Sequence, residues 1–178
     1  MQYRELSIKD AYVIALEEIA DRRGFFARSW DTREFSERGL VALVVQCNVS
    51  YNLKRGTVRG MHFQRPPHEE VKLVRCVRGS IFDVVVDLRS GSPTRLRWEG
   101  VELTAENRLA LYVPKGCAHG YQTLEDDVEV VYQVSEFYHP ESEGALLWND
   151  PAVGIKWPIA EAILSEKDRT APPLPIQA

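Results

Sequence analysis

The residues of this chain that bear most on chemistry are Arg59, His62, Lys72, His119 and Tyr132. Arg59, His62 and Gln64 stand among apolar neighbours in Val58-Arg-Gly-Met-His-Phe-Gln64, and Lys72 belongs to the next β-prone run. Burying such groups is costly unless they are paired or used, so a site is sought here first. An imidazole can take up a proton near neutral pH, the more readily when a carboxylate orients it. Lys72 and Arg59 carry the positive charge that stabilises an oxyanion or grips a phosphate. Tyr132 shares an alternating face with Val128, Val130 and Val134, which turns its phenol inward as a second proton carrier. A base, a cation and a second proton carrier fit proton abstraction beside a carbonyl. Each residue alone also has an ordinary structural explanation, because core histidines and buried tyrosines with satisfied hydroxyls are common.

The elements that must position these groups are short strands separated by glycine and proline turns. Ala11 to Leu16 reads as extended, followed by a turn at Asp21-Arg-Arg-Gly24, and Trp30 to Gly39 as a short helix ended by its glycine. Val41 to Val49 is strongly β-prone, with Gln46, Asn48 and Ser50 on one face and Val45, Cys47 and Val49 on the other. A polar, uncharged face suits a sugar-like ligand, and equally a solvated strand. Val71 to Val77 and Ser80 to Leu88 are strands parted at Arg78-Gly79. The second is largely apolar on both faces, as expected where sheets pack or subunits meet. Leu96 to Leu103, Leu111 to Pro114 and Val128 to Val134 add further strands, residues 138–144 read as loop, and Ser165-Glu-Lys-Asp168 has the N-cap spacing of a helical turn. This pattern points to a β-sandwich or barrel.

The bulk properties narrow the class. A chain of 178 residues suffices for one well-buried domain. Its 22 basic and 26 acidic side chains are interspersed and sum to -4, which argues against a nucleic-acid groove. Cys47, Cys76 and Cys117 are odd in number and lack a close metal-binding pair, as free cysteines in a reducing compartment do. The first residues show no signal-peptide pattern, and no apolar run approaches the roughly 20 residues that span a bilayer. A soluble cytoplasmic protein without nucleic-acid or membrane partners is expected.

Two motifs bear on metal binding. Pro114-Lys-Gly116-Cys-Ala-His119 resembles the second motif of the cupins, and His62-Phe-Gln64 with Lys72 before Gly79 resembles the first. Cupins use these frames to hold a metal ion. Here Gln64 is a poor replacement for an imidazole, and a lysine ammonium at the Glu-like position repels a cation. His62, His68, Glu70 and His119 remain as an alternative metal set for an oxygenase or isomerase, although Pro66-Pro67 makes His68 and Glu70 loop residues. No metal and no cofactor are expected.

A longer series of motifs follows in order: Asp21-Arg-Arg-Gly-Phe-Phe26, Gln46-Cys-Asn48-Val-Ser50, Gly56-Thr-Val-Arg59-Gly-Met-His62-Phe-Gln64, Lys72-Leu-Val-Arg75, Asp83 to Arg89, Pro114 to Gly120, Asn149-Asp-Pro151 and Leu164-Ser-Glu-Lys-Asp168. Over about residues 20–170 the chain thereby resembles the dTDP-4-dehydrorhamnose 3,5-epimerases of the cupin superfamily. The resemblance implies an all-β fold, a cupin-type double-stranded β-helix (jelly-roll barrel) with short peripheral helices. A single domain over residues 1–178 is expected, with residues 138–178 packing on the barrel and residues 1–50 contributing to a homodimer, because the apolar residues on both faces near 81–88 need more cover than one small barrel supplies. The implied activity is cofactor-independent inversion at C3 and C5 of dTDP-4-dehydro-6-deoxy-D-glucose. The implied roles are His62 as base, Asp168 as its carboxylate partner, Tyr132 as acid on the opposite face, and Lys72 as support for the enolate. Arg59, His119, Gln46, Asn48 and Tyr138 are implied around the sugar and pyrophosphate, and Arg22, Phe25 and Phe26 at the nucleotide, from a partner subunit. Epimerisation at one carbon only and a non-catalytic sugar-binding cupin are the alternatives.

Overall fold

Two antiparallel sheets share one apolar interior in this computed structural model, which describes residues 1–174. The first sheet has six strands in the order β1 (Gln2–Glu5), β2 (Tyr12–Ala15), β10 (Ala110–Val113), β7 (Lys72–Arg78), β12 (Val128–Val134), β5 (Gln46–Asn52). The second has five, in the order β13 (Glu143–Ala145), β6 (Val58–Gln64), β11 (Cys117–Thr123), β8 (Ser80–Asp87), β9 (Trp98–Thr104). Strands β3 (Ile19–Asp21) and β4 (Gly24–Phe26) form a separate hairpin. Neighbours in a sheet are mostly distant in sequence, which is the jelly-roll interleaving. Val74, Cys76, Leu111, Val128 and Val130 of the first sheet meet Ile81, Val85, Leu103 and Tyr121 of the second in the main core.

Helix α1 (Thr32–Glu37) forms where expected: the Asp31 side chain accepts from the backbone N–H of Arg33 and Glu34, and Gly39 follows at φ +69°. Phe35 is its buried residue, packed edge-on to Tyr3 and Tyr112. Helix α2 (Glu166–Arg169) is likewise capped by Ser165, whose hydroxyl accepts from the Asp168 N–H.

Two expectations change, and one further strand forms. β5 begins only at Gln46: in residues 41–44 Val41 donates to the Tyr112 hydroxyl and Ala42 packs on the second apolar cluster, and only at Val45, whose N–H donates to the Val134 carbonyl, does the segment reach the ladder. β1, in the polar run Gln2-Tyr-Arg-Glu5, gave no alternation, because it is an edge strand exposed along most of its length. The second apolar face of β8 is covered from within the chain, by Leu146, Val153, Ile155 and Trp157, and not by a subunit contact.

β6 and β11 are antiparallel neighbours in the second sheet with almost no room between their backbones at one point, and His62 and His119 face each other in their ladder. A Cβ on Gly60 would stand 2.6 Å from the Gly120 Cα, and one on Gly120 would stand 2.7 Å from the Arg59 carbonyl oxygen. The register also shifts between His119 and Tyr121. Substituting Gly120→Ala should therefore lower the unfolding free energy by ~1–3 kcal/mol through overpacking, read as a lower urea midpoint at unchanged m-value.

Candidate active site

His62 stands on β6 with its Nε2 2.6 Å from Asp168 Oδ1, a contact between residues 106 positions apart. The strand alternation of β6 aims the imidazole into a cavity, and the capped turn of α2 delivers the carboxylate. Paired hydrogen bonds between Gly56, Val58 and Ile163 lay the C-terminal segment beside the start of β6, which brings α2 into reach. Asp168 is 4% exposed. Burial pushes its carboxyl up, but the hydrogen bond and charge of His62 outweigh this, and the net shift is below the ordinary value of 3.8. The ionised carboxylate accepts from Nε2–H, which leaves Nδ1 as the nitrogen that can take a proton.

A second histidine–aspartate pair lies alongside. His119 Nε2 is 2.7 Å from Oδ1 of Asp83, a fully buried residue of β8. Among the described residues the other Asp83 oxygen has no hydrogen-bond partner. Lys72 lies 3.1 Å from Glu70, both largely buried, so Glu70 balances the lysine's charge. Arg59 donates to Asn52 Oδ1 at 2.7 Å and to the Tyr51 carbonyl at 3.3 Å. Tyr132 projects inward from β12 as its alternation predicted. Burial and the charge of Glu70 hold its phenol above the ordinary 10.0, which keeps it protonated.

These groups line two adjoining chambers. The larger, about 500 Å³, is bounded by Arg59, His62, Lys72, His119, Tyr132 and Asp168, together with Ser50, Tyr121 and Lys167. The smaller, about 260 Å³, shares His62, Lys72 and Tyr132 and adds Gln46, Asn48, Glu70 and Tyr138. The face of β5 carrying Gln46, Asn48 and Ser50 is thus a cavity wall, and its apolar face is the exposed one.

The alternative metal set is not assembled. Gln64 is buried and spends its carboxamide on the backbone of His68, Phe137 and His139. His68 stacks on His139, Glu70 is paired with Lys72, and the two cavity histidines are each held by an aspartate. Arg22, Phe25 and Phe26 sit on the exposed β3–β4 hairpin and line neither chamber of their own chain, with Phe25 under the Arg108 guanidinium at 4.7 Å. Asp83 as the partner of His119, Tyr121, Asn52 and Lys167 went unassigned from sequence. Ser50 was legible through its place on the polar face of β5.

The dTDP-4-dehydrorhamnose 3,5-epimerase family model matches residues 5–175. The dTDP-4-dehydrorhamnose 3,5-epimerase of Salmonella typhimurium is 44% identical over 168 residues, covering 93% of this chain and 91% of its own. The chain belongs to this epimerase family. The crystal structure of the dTDP-4-dehydrorhamnose 3,5-epimerase from Elizabethkingia anophelis superposes with a TM-score of 0.95 at 41% identity, over 98% of this chain and 96% of that one. The dTDP-6-deoxy-D-glucose-3,5-epimerase from Legionella pneumophila, solved in complex with dTDP-4-keto-L-rhamnose, superposes with a TM-score of 0.89 at 37% identity, over 96% and 90% of the two chains. The fold is the cupin-type jelly roll, and the protein is an isomerase.

Asp168→Asn keeps the side-chain shape and removes the charge that orients His62. Epimerase turnover should fall by about 10²- to 10⁴-fold, as measured by product formation. Because the folded carboxyl lies below 3.8, its stabilising contribution is fully present above that pH and is lost as pH falls through the folded value. The stability difference between wild type and this variant should accordingly narrow in acid, as measured by denaturant unfolding.

Proposed function

We propose that this epimerase converts dTDP-4-dehydro-6-deoxy-D-glucose to dTDP-4-dehydro-L-rhamnose, inverting C3 and C5, with His62 as base and Tyr132 as acid. The observation that carries this is the joint lining of one cavity by the His62–Asp168 dyad, Lys72 and Tyr132. Nδ1 of His62 removes the proton from the carbon beside the C4 ketone, and the C–H electron pair moves into an enolate. The imidazolium that forms is stabilised by Asp168, and the charge growing on the C4 oxygen by the Lys72 ammonium. Tyr132 returns a proton to the carbon from the other face, which inverts the centre. Solvent then restores both groups to their starting protonation states. Arg59 and His119 serve the sugar and its pyrophosphate, and Gln46, Asn48 and Tyr138 the polar wall of the smaller chamber.

We further propose a homodimer working in the cytoplasm. β5 is an edge strand whose outward face is apolar: Val49 is 71% exposed, with Tyr51, Leu43, Leu53 and Val77 also open to solvent. A monomer leaves this stripe uncovered beside an unpaired strand edge. A second copy that covers it can also bring its own β3–β4 hairpin, with Arg22, Phe25 and Phe26, to the nucleotide end of the cavity. The three cysteines are free, and no helix among the described residues is long and apolar enough to cross a membrane.

In deuterated water the enzyme should place deuterium from solvent at both C3 and C5 of the dTDP-ketosugar, as read by mass spectrometry and NMR. Exchange at one carbon selects a mono-epimerase, and no exchange by folded protein leaves only a sugar-binding cupin. Sedimentation at micromolar concentration should give a dimer mass that Val49→Glu shifts toward monomer. A monomeric wild type contradicts the dimer.

A further inference from the structure

We infer that His68, Glu136 and His139 form a binding site for a divalent transition-metal ion at the rim of the smaller chamber, apart from the His62 dyad. His68 belongs to the loop after β6, and Glu136 and His139 to the loop after β12. One donor atom from each lies within 4.8 Å of the other two. The two imidazole rings stack with centroids 3.5 Å apart and planes 9° from parallel. His139 Nε2 is 3.8 Å from Glu136 Oε1. Glu141 stands at the other nitrogen of the His139 ring, its Oε1 3.1 Å from Nδ1, where it orients the imidazole and leaves Nε2 toward Glu136.

The pairing of these loops is built from the core. The buried Gln64 carboxamide donates to the His68 carbonyl at 2.9 Å and the Phe137 carbonyl at 3.0 Å, and accepts from the His139 N–H at 2.7 Å. One side chain thus binds the backbone on both histidine loops, and Arg65 N–H to Ser142 carbonyl, at 2.7 Å, ties them again. Gln64 stands where the cupin motif places a metal-binding imidazole. In this chain it holds two other imidazoles together, nearer the surface.

Two imidazoles with one carboxylate suit zinc, cobalt(II) or nickel(II) better than magnesium or calcium, which prefer oxygen alone. Donors that hold one such ion at about 2.0–2.2 Å stand about 3.3–3.6 Å from one another. The donors are half-exposed, and binding requires the two rings to turn out of their parallel stack so that one nitrogen of each converges on the ion. An ion here cross-links the two loops beside Glu136, which also lines the smaller chamber with Tyr132.

The test uses full-length protein stripped with chelator, titrated with Zn²⁺ by calorimetry and with Co²⁺ by visible absorption. Wild type should bind one ion per chain and gain thermal stability with it. His68→Ala and His139→Ala should each weaken binding at least about tenfold, whereas His62→Asn should leave it unchanged. Glu136→Gln, which keeps the side-chain shape, should weaken it in the same direction and decides the matter if a histidine variant fails to fold. Absence of binding by wild type overturns the proposal. So does binding that survives both histidine substitutions, or binding that His62→Asn removes.

Discussion

The contact between His62 and Asp168 is the constraint on which the rest of the site depends. A carboxylate that is nearly buried is tolerated only with a partner, and the partner comes from a strand 106 residues earlier. Satisfying it requires the C-terminal segment to lie along the start of β6, the Ser165 cap to start α2 at one residue, and β6 to keep its register against β11. The glycines at 60 and 120 let those two strands approach closely enough. Stability and chemistry therefore draw on the same contacts: loosening the C-terminal segment removes both the partner of a buried charge and the group that orients the proposed base.

The anchoring of the other cavity side chains follows the same logic. His119 is held by the buried Asp83, Lys72 by Glu70, and Arg59 by Asn52. Each group is anchored on one side and presents its remaining capacity to the chamber. Such anchoring before substrate arrives is how a site supports an enolate without reorganising during reaction. The inverted strand β5 completes the enclosure, with hydrogen-bonding side chains inward and valine and tyrosine outward, which ties the polar wall of the pocket to the apolar stripe proposed as the subunit contact.

Much of this was legible in the sequence because strands repeat every two residues. Tyr132 among its valines, the polar face of Gln46, Asn48 and Ser50, and the break at Arg78-Gly79 all follow from that period. The Ser165 cap was legible because capping is local. The partnership of His62 with Asp168 came only through resemblance to a family, since no local rule joins positions so far apart. Asp83 stood in one of the sequence motifs, but its pairing with His119 needed the register of β8 against β11. Val41 to Val44 misled because β-propensity describes a half-buried pleated surface, whereas here Ala42 packs on an apolar cluster and Val41 and Leu43 stay exposed outside the ladder. The double apolar face of β8 was real, but the residues that cover it lie in the C-terminal segment, whose irregular backbone carries no periodic signal.

In the proposed mechanism protons move on two faces of the sugar ring, one served by His62 and the other by Tyr132. Tyr132→Phe isolates the second, because the phenol is removed while the His62–Asp168 pair remains. With the dTDP-ketosugar in deuterated water, the account predicts that this variant continues to exchange the substrate's α-hydrogen with solvent but forms inverted product at least about 10²-fold more slowly. Inversion at the wild-type rate, or loss of exchange together with inversion in a folded variant, would contradict it.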